Sequence, residues 1–171
     1  AELGDNVSHT LHSFRIRRER QRTTSLLSTL LDLLPVGVLA EDKERNVLAV
    51  NRRLFELFGM SGAPGDAIDA DCERLARESA DRFDDPDAFV DRIDELIHSG
   101  DAVDGETLRL TDGRTFQRSY KPIELPDGDG HLWVYVDTTE RERRMRRPSA
   151  LTHQPEAQDL LPVGQGPARG V

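Results

Sequence analysis

Few residues of this chain combine a reactive side chain with a spacing that supports chemistry, and their neighbours argue against most of them. Cys72 is the single thiol among 171 residues. It stands in Asp71-Cys72-Glu73-Arg74-Leu75, where carboxylates on both sides disfavour the thiolate that a nucleophile needs. Cys72 therefore reads as inert, and a lone cysteine excludes a disulfide within the chain and suits a reducing cytoplasm. His9 and His12 have an i, i+3 spacing that lets two imidazoles share a metal on a helix, but nothing supplies further ligands. His131 and His153 stand alone. Asp127 and Asp129 look like part of a calcium loop but lack its later ligands, so 126–130 reads as a turn. No Walker loop, dinucleotide fingerprint or nucleophile with a base at readable spacing occurs. No catalytic residue and no metal site is expected, which sets a small hydrolase aside.

What the sequence does carry is a junction. Residues 132–136, Leu-Trp-Val-Tyr-Val, have the composition of a strand covered on both faces, at the centre of a sheet. Asp137, Thr138 and Thr139 follow, each able to cap a helix, with Glu142 three residues after Thr139 as in a capping box and Glu140 suited to the first turn. A central strand running straight into a charged helix is how a domain would hand its state along a chain, so the expectation is a sensory or signalling module.

The elements around this junction can be placed in order. Residues 1–13 have no periodicity and read as a loose start. Over 14–34 an arginine cluster precedes Leu26, Leu27, Leu30, Leu31, Leu33 and Leu34, one apolar stripe on a helix that Pro35 must stop. Leu27, Leu30 and Leu34 have the a, d, a spacing of a short coiled coil and are the candidate dimer helix. The arginines before them read as a solvated helix face. Residues 37–41 and 47–50 flank a polar five-residue turn and form a hairpin. Asn51 can cap the next helix, which buries Leu54, Phe55, Leu57 and Phe58 before Gly59 ends it.

Between Asp66 and Asp104 lie 14 acidic residues against 4 Arg, a local balance of −10. Ile68, Cys72, Leu75, Phe83, Phe89, Ile93, Leu96 and Ile97 are the expected buried positions of this helical stretch, the last four after the helix start Asp85-Pro86-Asp87. Three strands follow, over 103–110, 115–125 and the 132–136 run, joined by turns containing Asp112-Gly113 and Asp127-Gly128. Pro122 should lie on an edge, at a bulge or near a strand end. Residues 148–171, rich in Pro and Gly, read as a disordered tail. The order helix, two strands, short helices, three strands, helix makes an α+β domain with its helices on one face of a five-stranded antiparallel sheet.

Composition narrows the partners. A net charge of −9 disfavours nucleic acid, whose phosphates would be repelled. The 23 basic residues are 21 Arg and 2 Lys, and the 32 acidic ones 19 Asp and 13 Glu, a balance that points to a halophilic setting. No apolar run approaches the roughly 18 residues of a membrane span and no signal peptide is visible, so a cytoplasmic protein is expected.

At this point the residues resemble a PAS domain, the sensory module of prokaryotic signalling proteins. Leu34-Pro35-Val36-Gly37-Val38 resembles the lead-in to that family's first strand, and Asn51, Phe55, Phe58 and Gly59 its first helix. Asp112-Gly113-Arg114 and Tyr120-Lys121-Pro122-Ile123 resemble its next hairpin, and Asp137-Thr138-Thr139-Glu140-Arg141 the close of the domain. The resemblance implies a domain over 35–138, a sheet of strand order 2-1-5-4-3 and a signalling helix over 139–147. It also implies a pocket between the sheet and the helix holding Phe89 and Ile93, with Leu39, Phe55, Phe58, Leu75, Leu108, Phe116, Tyr120, Trp133 and Tyr135 as further candidate walls. Each of these serves equally well as packed core.

PAS modules hold haem, flavin, a small metabolite or nothing. Cys72 lacks the Asn and Phe that flank the adduct-forming cysteine of flavin-binding relatives, and His98 stands at the end of the helix in which haem-binding relatives place their ligand. Neither haem nor flavin is expected here; a small organic ligand fits the resemblance, and its identity is unknown. Asp137, Thr139, Glu140 and Arg141 are the implied relay, and the implied partners are a second copy of the chain and an output kinase or transducer domain. His153 lies in the Pro-rich tail and does not serve as a phosphoacceptor. The second reading is a ligand-free interaction domain, such as the input part of a transcription regulator.

Overall fold

The computed structural model describes residues 2–146, with side chains from residue 15 onward. Helix α1 spans Glu2–Leu33, so residues 2–13, expected to be loose, are helical. Gly4 is the one strong helix-weakening residue in that stretch and no proline interrupts it, so a helix nucleated in the leucine stripe propagates backward at little cost. Pro35 ends α1 as its steric restriction on the preceding residue requires. Arg147 and the tail 148–171 lie outside the described residues.

Strands β1 (Gly37–Asp42) and β2 (Val47–Val50) form the expected hairpin, with a register shift between Ala40 and Glu41. Helix α2 (Arg52–Phe58) packs against β1 so closely that a Cβ on Gly37 would lie 2.8 Å from the Leu54 side chain, which only glycine permits. Asn51 caps α2 through Leu54 N, and Gly59 closes it in the left-handed region at φ 56°.

The acidic stretch folds into α3 (Cys72–Ser79), a 3-10 turn over Ala80–Arg82 and α4 (Pro86–Ser99). Asp85 caps α4 through Ala88 N, and Gly100 ends it. Ile68, expected to be buried, is 42% exposed, because it follows the 3-10 turn Pro64–Ala67 at the surface rather than a helix face. Leu75 and Ile97 are half-buried.

Strands β3 (Val103–Arg109), β4 (Thr115–Leu125) and β5 (Gly128–Asp137) complete one antiparallel sheet of order β2-β1-β5-β4-β3, the order the resemblance implied. The last turn is tighter than expected: Leu125 pairs with Gly128, leaving only Pro126-Asp127 between the strands. Pro122 lies beyond Tyr120, where β3 no longer pairs with β4, so its missing N–H meets the tolerance of a free strand side.

Leu54, Leu57, Phe58, Phe83, Phe89, Ile93 and Leu96 from the helical side meet Phe116, Tyr120, Trp133 and Tyr135 from the sheet in one core. Each such side chain contributes on the order of 2 kcal/mol by leaving water. β5 is central, with Trp133 and Tyr135 at 2% and 4% exposure on the inner face. Leu132, Val134 and Val136 on the outer face are half-buried, short of the double covering expected, because the described short helices pack on the opposite face. Helix α5 (Thr139–Arg146) leaves directly from β5.

Candidate ligand cavity and relay

Between the inner face of β1 and β5 and the helices α2, α3 and α4 lies a cavity of about 60 Å³. Eight of the eleven candidate wall residues line it: Leu39, Phe55, Phe58, Leu75, Phe89, Ile93, Trp133 and Tyr135. Phe116 and Tyr120 share the inner face but sit on β4, where Phe116 packs 6.0 Å from the Phe58 ring and Tyr120 4.5 Å from Trp133. Leu108 faces a separate groove between α4 and β3. Phe116 and Tyr120 are core and Leu108 half-buried groove wall because the void stops at β5, one strand short of β4.

Two charged side chains inside the core escaped the sequence reading. Glu41 has no exposed surface, lines the cavity, and is fully engaged. Its Oε1 accepts from Trp133 Nε1 at 2.9 Å and its Oε2 from Arg45 Nε at 3.0 Å. Arg45 also reaches Asp94 on α4 at 3.5 Å. Arg118 is 1% exposed and lies on the inner face between Phe116 and Tyr120. Its Nε and Nη2 donate to Glu106 Oε2 at 3.2 and 2.6 Å, while Glu106 Oε1 accepts from Arg92 Nε at 2.7 Å. The guanidinium stands 5.7 Å from the Phe89 ring centre and 6.0 Å from that of Trp133. The signal for both residues was strand alternation: Glu41 follows Leu39 by two, and Arg118 falls midway between Phe116 and Tyr120.

Partial burial pushes the Glu106 carboxyl up, but the hydrogen bonds and charges of Arg118 and Arg92 outweigh it and hold the group below its ordinary 4.5. A depressed carboxylate contributes stability that is complete above its unfolded value and is lost as pH falls through the folded one. Melting temperature should therefore decline as pH drops below about 4.5, and Glu106→Gln should flatten that limb. An unchanged acid limb in the variant would remove this role.

Cys72 is buried against the cavity, and its thiol is pushed far up, first by burial and next by Glu41, with Asp71 a minor contributor. It stays protonated, as the sequence suggested, though mainly through burial rather than its flanking acids. His98 is exposed at the end of α4 and does not line the cavity. His131 is tied through Nδ1 to the Tyr120 hydroxyl at 2.9 Å, and burial holds its pKa below the ordinary value. Among the described residues no three His, Cys, Asp or Glu side chains group as a metal site, and no helix is long and apolar enough to cross a membrane.

At the other end of β5, Asp137 Oδ1 accepts from Thr139 N at 2.9 Å and so starts α5. The Thr139 hydroxyl donates to Asp137 and accepts from Thr115 N at 3.0 Å, and Thr138 N donates to Thr115 O at 2.9 Å. The capping box expected of Thr139 and Glu142 does not form. Thr139 is already spent on β4 and Asp137, and Glu142 pairs with Arg146 at 3.4 Å. Glu140 is exposed and pairs with Arg143 at 3.2 Å within α5, and Arg141 is exposed.

A family model described as the PAS fold matches residues 31–143. No curated protein matches the chain. Among solved structures, the DhaR(N)–DhaL complex from E. coli aligns with a TM-score of 0.53 at 13% identity, over 72% of this chain and 38% of that one. The PAS domain of Bordetella pertussis BvgS aligns at 0.51 and 18% identity, over 73% and 93%. A domain of an HTR-like protein from Haloarcula marismortui aligns at 0.45 and 18% identity, over 62% and 100%. At these identities the first two structures speak for the fold alone.

Proposed function

Because this chain belongs to the PAS-fold family, whose domains are sensory modules of signal-transduction proteins, we propose that it detects a small molecule in the cavity and reports its presence through β5 and α5. In this reading it works in the cytoplasm as a homodimer, coupled to an output kinase or transducer domain. The supporting observation is that one strand holds both ends of the mechanism. Trp133 and Tyr135 are cavity wall, and Asp137, on the same strand, starts α5. A ligand that fits one placement of this strand better than another shifts the population of α5 positions by that difference in affinity.

Dimerisation rests on α1. Leu27 and Leu30 on α1 and Leu34 just past its end are 56%, 50% and 42% exposed, apolar positions that a second copy can cover. One experiment addresses both parts. Native mass spectrometry of the purified chain should show a dimer carrying a bound small molecule, and the Leu27→Gln, Leu30→Gln, Leu34→Gln triple variant should be monomeric. A wild-type monomer at high concentration would remove the dimer. A chain of bare mass with no visible absorption band would favour the second reading, an interaction domain whose interior is only core.

A further inference from the structure

The two edges of the sheet are protected unequally. β2 is covered by the segment before α3, through Val47 N to Ala70 O and Asp69 N to Val47 O, each at 2.9 Å. β3, the opposite edge, is met at its far end, where Asp84 N donates to Arg109 O at 3.0 Å and Phe83 bridges Leu110. Leu110 N turns the other way, to Arg114 O at 3.0 Å. Backbone groups alternate in direction along an antiparallel strand, so Thr107, two residues before Arg109, turns its N–H and C=O outward, where the sheet has no further strand. Beyond it Gly105, at φ 69°, sits in the register shift between Val103 and Glu106, a bulge that ends the regular edge.

This edge is one wall of an open groove of about 720 Å³. Residues 106–109 all line it although consecutive side chains point to opposite faces, so the wall is the backbone edge itself. The facing wall is one side of α4, where Ala88, Asp91, Arg92 and Glu95 recur at helical spacing. Four strand residues run roughly 13 Å, and α4 from Asp85 to Glu95 roughly 15 Å. The groove therefore has the length of a strand of four or five residues. Phe83 and Phe89 are buried along it and Leu108 is half-buried, an apolar floor. Arg118, Glu106, Arg92 and Glu95 form one chain of ion pairs, and Asp85 holds the start of α4. Asp84 and Asp91 are the lining carboxylates outside those roles.

We propose that this groove takes an extended basic segment of a partner protein, four or five residues long, as a sixth strand beside β3. Its backbone pairs with the outward N–H and C=O of Thr107, its apolar side chains rest on Phe83 and Leu108, and its Arg or Lys side chains meet Asp84 and Asp91. A second copy's β3 does not suit, because its own α4 flanks the edge it would have to present. The arginine run of α1 is helical and supplies no extended segment. The proposal is independent of what the cavity holds.

The test titrates the full chain with a dye-labelled acetyl-Arg-Val-Arg-Val-Arg-amide peptide, read by fluorescence anisotropy and backbone amide NMR shifts. Binding should saturate, weaken with added salt, and shift amides within 83–95 and 106–109. The same peptide with Glu in place of Arg should not bind. Peptides N-methylated at both valines, or at all three arginines, lose the amides on one side of the strand or the other, and one of the two should fail. Thr107→Pro, tolerated on a free strand side, should bind about tenfold or more weakly, the worth of one or two hydrogen bonds. The Asp84→Asn, Asp91→Asn double variant should bind more weakly with a flatter salt dependence. No saturable binding, shifts centred elsewhere, equal binding of the Glu peptide, or full binding by both N-methylated peptides would overturn the proposal. So would unchanged affinity in a folded Thr107→Pro, or a dimer that this variant breaks while the peptide does not bind, which gives the edge to a second copy. If Thr107→Pro does not fold, the N-methylated peptides decide on the wild type.

Discussion

Glu41→Ala is expected to cost about 3–5 kcal/mol of folding stability, the usual result of removing one partner from a buried charged pair. Glu41 has no contact with solvent, and both its oxygens are occupied. Its loss strands Trp133 Nε1 in the core and leaves Arg45, whose side chain is 17% exposed, with only the longer contact to Asp94. Glu41→Gln should cost distinctly less, because an amide oxygen still accepts from the indole. Urea unfolding followed by tryptophan fluorescence measures both. Losses below about 1 kcal/mol for the alanine variant would mean that the carboxylate stands in water more than its geometry implies.

Asn51→Ala should cost about 3 kcal/mol, well beyond an ordinary N-cap loss of about 1. The Asn51 amide makes four hydrogen bonds. Its oxygen accepts from Leu54 N at 3.1 Å and Val38 N at 2.9 Å, and its nitrogen donates to Leu31 O at 2.8 Å and Val36 O at 2.9 Å. One side chain thus fastens the end of α1, the lead-in to β1 and the start of α2. Asn51→Asp separates these tasks. It keeps both acceptors, so α2 stays capped, but sets a carboxylate oxygen against two carbonyls. Amide exchange should then rise through 34–38 while α2 remains protected. Equal protection across both segments would show that the tie to α1 carries no weight. Asp32, which accepts from Arg52 N at 2.8 Å, is a second link between the same helices and limits the effect.

The parts of this fold legible in the sequence were those written in local chemistry. Asn51 and Gly59 bounded α2, Asp85 and Gly100 bounded α4, and the Asp-Gly turns located the hairpins. Strand order came from resemblance, since antiparallel strands of similar composition do not announce their neighbours. The candidate walls separated into cavity and core for a reason no periodicity reports: inward direction was readable at Phe116 and Tyr120, but their distance from the void depends on which strand is central. Glu41 and Arg118 were missed because charge was taken as a mark of exposure. Their positions in the alternation said otherwise, and partners 92 and 12 residues away, Trp133 and Glu106, made burial tolerable. Helix α1 was read short because a polar stretch without a period carries no helical signature, even where little opposes the helix.

The pairing of Gly37 with Tyr135 has a geometric corollary. β1 begins and β5 ends at the same pole of the sheet, so the incoming and outgoing segments share that pole. Whatever segment is joined after α5 inherits a rotational phase of about 100° per residue. Deleting one residue at that splice should misalign a fused reporter, while deleting seven should nearly restore it, so that output plotted against linker length would rise and fall like a clock face.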